Sequence, residues 1–249
     1  ISEPEAQIEE DEIITYKWNN LNEKYIFGLE GSVQTKNIIY PIPNAKFPIL
    51  SVDRSLKKYL EPTDNIDIND EIQAKAASLA QNKENLFDVT FAIADWVNNN
   101  IDYDLNTLTA TAVQKSSWVL ENRQGVCDEI TSLFISMLRS IGIPSRFVSG
   151  MVYTNLDYSF GNHGWAEVYF KGYGWIPFDV TFGQYGWIDP SHIKLSDSVD
   201  SATYSAKYKW RSYGIKVEPQ DLKLESNVKS VGSKIKSPYN VEVSLIEDQ

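Results

Sequence analysis

Gly125-Val126-Cys127-Asp128-Glu129 holds the only cysteine of the 249-residue chain and marks the point where a loop turns into a helix. Directly after it, Ile130, Leu133, Phe134, Met137, Leu138 and Ile141 recur at helical spacing, and Gly142 and Pro144 end the stripe. Unpaired backbone N–H groups and the macrodipole at such a helix start favour an anion, so a thiol there ionises more readily than a free one. A lone cysteine is more often a small buried hydrophobe. Its chemistry therefore depends on what else the fold brings to it.

A cysteine nucleophile needs a base, and the base needs a group that holds its tautomer. The chain has two histidines. His163 opens the alternating run His163-Gly164-Trp165-Ala166-Glu167-Val168-Tyr169, and Lys171-Gly172-Tyr173-Gly174 turns it back into Trp175-Ile176-Pro177-Phe178-Asp179-Val180-Thr181. Asp179 thus returns beside His163. A two-residue turn at Gly172-Tyr173 would put the two side chains on opposite faces, whereas a three-residue loop centred on Gly172 makes them diagonal neighbours on one face. An odd-length loop or a bulge is the expectation. The other histidine, in Asp189-Pro190-Ser191-His192, lies past the last clear strand and lacks a returning partner, so His192 and Asp189 read as surface or capping residues.

Composition narrows the remaining classes. One cysteine excludes an intramolecular disulfide and any multi-cysteine metal site, and neither a metal nor a cofactor is expected. A net charge of −11 without clustered Lys and Arg argues against a nucleic-acid partner. No apolar run reaches the roughly 18 residues of a membrane span. The chain begins at Ile1 with the acidic run Glu3, Glu5, Glu9, Glu10, Asp11 and Glu12, the look of a mature or truncated ectodomain fragment, which points to an extracytoplasmic location. Asp64, Asp67 and Asp70 lack the glycine and terminal glutamate of a calcium loop and read as a polar loop.

Along the chain, 1–12 reads as a solvated acidic lead-in, 13–62 as a β-rich N-terminal segment with a short helix near 53–60, 63–195 as the core, and 196–249 as a β-rich C-terminal appendage. In the core, helices are expected over about 70–81 and 84–98, a helical turn capped by Ser116 or Ser117, the Cys127 helix, and strands over 146–153, 163–170 and 174–181. A helix followed by sequential strands is the signature of an α+β fold with an antiparallel sheet packed on the helix.

The blocks Arg123-Gln124-Gly125-Val126-Cys127-Asp128-Glu129, Leu138-Arg139-Ser140-Ile141-Gly142-Ile143-Pro144-Ser145-Arg146, His163-Gly164-Trp165-Ala166-Glu167-Val168 and Pro177-Phe178-Asp179-Val180-Thr181 resemble, in order and spacing, the transglutaminase-like superfamily, in its microbial and archaeal branch of transglutaminase-like cysteine proteases. The resemblance covers about residues 85–195. It implies a papain-like core in which Cys127 is the nucleophile, His163 the general base and then acid, and Asp179 the orienting group. The acidic pair departs from what a nucleophile wants, since carboxylates raise the pKa of a neighbouring thiol. Asp128 and Glu129 are expected to point away, leaving His163 to activate the thiol as an ion pair.

The backbone N–H of Cys127 is the default oxyanion donor, with Trp118, Gln124 and Tyr103 as side-chain candidates. Trp165, Tyr158, Phe160 and Trp187 are candidates to line a groove for a protein or peptide substrate, and 154–162 reads as a lid or substrate-contacting loop. The function expected is cysteine-dependent acyl transfer on amide bonds, chiefly hydrolysis. The alternatives are glutamine-directed cross-linking or deamidation, and a binding module that keeps the core only as scaffold.

Overall fold

The structure is a computed structural model, and it describes residues 2–3, 5–9, 14–19, 24–28, 33–35, 38–40, 45–107, 113–154, 159–201, 211–213 and 216. Two compact units divide the chain at Gln34 and Thr35. In the first, Ser2–Glu3 pairs antiparallel with Ile26–Phe27, and Gln7–Glu9 with Thr15–Lys17. The acidic lead-in is therefore part of a strand pairing, because Ile8 lies opposite Tyr16 and gives the segment an apolar partner. The C-terminal strands expected over 208–246 fall almost wholly outside the described residues.

The second unit is a helical layer on a sheet. Helix α1 (Asp70–Ala80) starts at Asn69, whose side chain accepts the Ile72 N–H at 2.8 Å. Helix α2 (Leu86–Asn100) starts at Asn85, which accepts the Phe87 N–H at 2.8 Å. Both are side-chain N-caps of the kind that satisfy orphan donors. Helix α3 (Ser116–Asn122) has no cap of its own. Asp67 supplies one from outside, its carboxylate accepting from Ser117 N–H at 2.9 Å and Ser117 Oγ at 2.6 Å. That is the work of the acidic loop at 64–70. A 3₁₀ helix over Arg54–Tyr59 fulfils the short helix expected there. Upstream of it, residues 45–50 lie on the core: Ala45 O accepts from Leu86 N–H at 2.7 Å and Phe47 N–H donates to Glu84 O at 2.8 Å.

Helix α4 (Cys127–Ser140) is the centre of this unit, and its residues from Glu129 to Arg139 are buried. Helices α1–α3 pack on one side and the sheet on the other. Ile130, Leu133, Phe134, Met137 and Leu138 meet Val89, Ile93 and Val97 of α2 and Phe147, Ala166, Val168, Phe170, Ile176 and Phe178 of the sheet in one apolar cluster. Burial of this size is the main stabilising contribution. Every strand pair of the sheet is antiparallel, in the order β4-β3-β2-β1-β5, where β1 is Ser145–Thr154, β2 Ser159–Phe170, β3 Gly174–Asp179, β4 Gln184–Tyr185 and β5 His192–Ser198. The fold is thus α+β with a papain-like arrangement of nucleophile helix and antiparallel sheet.

Three details differ from the sequence-based expectations. In the region expected to form a lid, Tyr153 lies opposite Phe160 and Thr154 opposite Ser159, so 159–162 belong to strand β2, while 155–158 lie outside the described residues. The sheet has an additional edge strand, β5, carrying His192. It is also strongly curled. Asp179 on β3 and His192 on β5 are separated by two strands, which in a flat sheet is about 14 Å at ~4.8 Å per strand. Their side chains nonetheless meet at 2.9 Å. Among the described residues, no helix is long and apolar enough to cross a membrane.

Candidate active site

The site is assembled where the start of α4 meets the middle of β2. Residues Asp102–Tyr103 pair in parallel with Gln124–Gly125, which sets Tyr103 level with the residues leading into the helix. Val126, the N-cap residue, has no side-chain acceptor. Glu129 compensates by reaching back, and its Oε2 accepts the Val126 N–H at 3.0 Å, half of a capping box. The same carboxylate accepts Thr107 Oγ1–H at 2.7 Å and the Gln114 N–H at 2.9 Å. Glu129 therefore points away from the thiol, as expected, and it is held there by three donors.

Asp128 does not point away. Its Oδ1 lies 3.6 Å from Cys127 Sγ. Only one first-turn carboxylate can satisfy the buried donors upstream, and Glu129 occupies that place. The Cys127 thiol, half-buried, is pushed up to about 12, first by burial and next by the Asp128 charge, against backbone hydrogen bonds from Gly164 and Asp128 that favour the thiolate. Burial and the Asp128 charge thus both favour the thiol over the thiolate. Burial likewise raises the Asp128 carboxyl, while its contact with Cys127 and the nearby His163 pull it back down.

Those influences locate the pieces. Gly164 of β2 touches the sulfur through its backbone, and His163 precedes it. A Cβ on residue 164 would overlap both the Asp128 carboxylate and the Phe147 ring. Glycine is what lets β2 come this close to the helix start. The β2–β3 pairs run from Ala166 with Phe178 to Phe170 with Gly174, numbers that always add to 344, so the loop is Lys171-Gly172-Tyr173. This is the three-residue loop that the same-face argument requires. His163 Nε2 lies 2.7 Å from Asp179 Oδ2, with side-chain exposures of 4% and 0%. Asp179 Oδ1 accepts the Thr181 N–H at 2.9 Å and the Phe182 N–H at 3.0 Å. Burial alone would raise the Asp179 carboxyl, but hydrogen bonds from His163 and His192 outweigh it and bring it down to about 2. The Phe182 ring stacks on His163 at 4.8 Å and, being 46% exposed, covers it from the solvent side.

His192 is a correction. It is buried, with Nε2 2.9 Å from Asp179 Oδ2 and Nδ1 3.1 Å from Asp189 Oδ1. It is thus neither a surface nor a merely capping residue. Its sequence signal was only that it is one of two histidines and that Asp189 stands three residues before it. The ligating atoms of His163, Asp179 and His192 lie within 4.8 Å of one another. Hydrogen bonds among these three account for that closeness.

The remaining candidates separate clearly. Tyr103 is 53% exposed, and after burial its hydroxyl feels the charges of Cys127 and Asp128, which places it beside the thiol. Gln124 pairs through its backbone with Asp102 three residues before Cys127, and Trp118 is a half-buried residue of α3 packed on the core. Trp165 is fully buried, its ring crossing Gly150, where any Cβ would overlap it. It therefore fills the concave face of the sheet rather than lining a groove. Phe160 is half-buried against Tyr153 at 5.3 Å and Trp187 is half-buried. Tyr158 lies outside the described residues.

Comparison with known sequences and structures points to the same superfamily as the sequence blocks around Cys127, His163 and Asp179. The sequence profile of the transglutaminase-like superfamily matches residues 73–180, and over this segment the chain is similar to that superfamily. It is similar to the uncharacterized protein YebA of Bacillus subtilis (strain 168), 29% identical over 164 residues, covering 59% of this chain and 21% of YebA. It is 31% identical over 129 residues to the uncharacterized protein ML0607 of Mycobacterium leprae (strain TN), covering 49% and 44% of the two chains. The chain therefore spans less than half the length of these curated relatives. In solved structures, a proposed cysteine protease from Cytophaga hutchinsonii shares the fold, with a TM-score of 0.52 and 24% identity over 64% of this chain and 52% of that one.

Proposed function

We propose that the chain is a cysteine-dependent acyl-transfer enzyme acting on amide bonds of a protein or peptide, most simply as a hydrolase. The observation that carries this reading is the buried 2.7 Å pair of His163 Nε2 with Asp179 Oδ2, on the strand whose next residue, Gly164, touches the Cys127 sulfur. Because Nε2 faces Asp179, Nδ1 is the ring nitrogen left for the thiol. His163 Nδ1 takes the thiol proton as Sγ attacks the carbonyl carbon, and the carbonyl electron pair moves onto oxygen. The N–H of Cys127, in the first turn of α4 where helical donors lack intrahelical partners, receives that oxyanion, with the Tyr103 hydroxyl, which feels the Cys127 charge, as a side-chain donor. Collapse expels the amine with the proton from His163. Water, activated by the same nitrogen, then releases the acid and frees the thiol.

A second reading, transfer of the acyl group to an amine, is favoured by one feature: Asp128 puts a carboxylate beside the sulfur, a site suited to an ammonium group. One experiment separates the two readings. Wild type and Cys127→Ala are incubated with a glutamine-containing protein and a fluorescent primary amine, and amine incorporation, ammonia release and new N-termini are followed together. New N-termini or ammonia without incorporation support hydrolysis, and incorporation supports transfer. Signals equal to those of Cys127→Ala over a broad substrate set would reject the enzyme and leave a binding module.

A further inference from the structure

Asp179 serves two histidines through one oxygen. Its Oδ2 meets His163 Nε2 at 2.7 Å and His192 Nε2 at 2.9 Å, while its Oδ1 holds the N–H groups of Thr181 and Phe182. Four donors fill the capacity of a carboxylate. The acyl transfer described above uses only one of the histidines. His192 enters from the opposite edge of the curled sheet with a carboxylate on each ring nitrogen, Asp179 at Nε2 and Asp189 at Nδ1, 3.1 Å away. Asp189 is itself fixed, accepting from Gln184 Nε2 at 2.7 Å, from the Ser191 N–H at 2.8 Å and from the Ser191 hydroxyl. An imidazole can donate to two carboxylates only when both nitrogens carry protons.

We propose that His192 is a positioning residue of the site: an imidazolium held between Asp189 and Asp179 that fixes the Asp179 carboxylate for His163 and shares its negative charge. This rests on the reading of Cys127, His163 and Asp179 as the reacting set. The groups facing His192 are Asp179 from β3, Asp189 and Ser191 from the segment before β5, the His163 and Trp165 rings from β2 at 5.8 and 5.3 Å, and Phe182 at 6.0 Å. Burial would lower the His192 ring, but hydrogen bonds from Asp179 and Asp189 override it and raise it to about 9.

The consequence falls on His163. A carboxylate shared with a second, positively charged ring presents less of its negative charge to His163 than one that serves a single ring. With a fixed positive charge on the far side of Asp179, His163 Nδ1 takes the thiol proton as Sγ bonds to the carbonyl carbon. The hydrogen bond from Nε2 to Oδ2 persists throughout, so no proton leaves the Asp179 side.

Because the chain has two histidines, ¹⁵N-histidine NMR of the full 249-residue protein resolves both rings. At pH 7 one ring is expected to carry protons on both nitrogens, and its signals are lost in His192→Gln. In parallel, the rate of Cys127 alkylation by iodoacetamide is measured against pH. His192→Gln is expected to move the acidic limb upward by about one pH unit, and Asp189→Asn to move it less in the same direction. A purely structural His192 would lower the rate at every pH without moving the limb. A neutral His192 ring at pH 7 in the wild type overturns the proposal, even if His192→Gln fails to fold, and so does an unmoved limb. If His163→Ala leaves the wild-type alkylation profile unchanged, the reading of the reacting set fails instead.

Discussion

Asp128 Oδ1 stands 3.6 Å from Cys127 Sγ, so the residue that follows the cysteine opposes its ionisation. The helix start favours the thiolate, and the first-turn carboxylate cancels that advantage. Asp128→Asn removes the charge and keeps the size. It is expected to lower the thiol pKa by about one unit and speed iodoacetamide alkylation at pH 7 about tenfold. An unchanged rate would show that burial alone sets the thiol.

Asp179 and His192 set the pH range of stability from opposite ends. Asp179 falls to about 2 in the folded chain from an ordinary value of 3.8, so its contribution is present above about pH 4 and is lost as pH falls towards 2. His192 rises to about 9 from an ordinary 6.5, so its contribution is complete below pH 6.5 and is lost as pH rises through 9. Thermal melting followed from pH 2 to pH 10 should show a plateau between these limits, with a loss of roughly 5 °C on the alkaline side. His192→Gln should flatten the alkaline decline.

Replacing Asp179 by Asn keeps the volume but removes the charge and, with the amide oxygen held by the Thr181 and Phe182 N–H groups, turns a donor NH2 towards His163. Activity on any amide substrate found is expected to drop by roughly two to four orders of magnitude in kcat, with KM little changed. A loss confined to KM would assign Asp179 to substrate binding.

The sequence carried the β2–β3 register, because a pleated strand alternates faces strictly and the glycine-bearing loop had to be odd for His163 and Asp179 to share one. It carried α4 for a similar reason, its apolar period being unbroken from Ile130 to Ile141. Other features depend on contacts that no local pattern encodes. Edge strand β5 offers only Ile193 and Leu195, alternating with His192, Lys194 and Ser196, too little apolar content to stand out from a loop. The meeting of His192 with Asp179 requires a curl that shows only once Trp165 lies across Gly150. Asp128 and Glu129 look equivalent in sequence, and only donors from Thr107, Gln114 and Val126 select Glu129 for the inward position. The buried Trp165 read as a groove residue because strand aromatics fill cores and line grooves with the same spacing.

Glu129 is 1% exposed and satisfies three donors from three parts of the chain. Glu129→Ala leaves those donors buried without an acceptor, at about 1 kcal/mol or more each, so unfolding in urea is expected to show a loss of about 3 kcal/mol. Glu129→Gln, which can still accept twice, should lose less than half as much. Equal losses in the two variants would show that packing rather than hydrogen bonding fixes the start of α4.

Gly164 joins stability to chemistry in a single atom. Its missing Cβ leaves room for the Asp128 carboxylate and the Phe147 ring, while its backbone touches the Cys127 sulfur. Gly164→Ala must push β2 away from α4 or displace both side chains, an overpacking cost of roughly 1–3 kcal/mol. The same shift withdraws the hydrogen bond that favours the thiolate and moves His163 off its approach to the thiol. Alkylation of Cys127 at pH 7 is therefore expected to fall at least about tenfold under conditions where circular dichroism shows the variant still folded. Gly161→Ala, on the same strand β2 with nothing within 4 Å of the added Cβ, is the control and should leave both the melting temperature and the alkylation rate nearly unchanged. If both variants slow alkylation equally, the close approach at Gly164 has no role of its own.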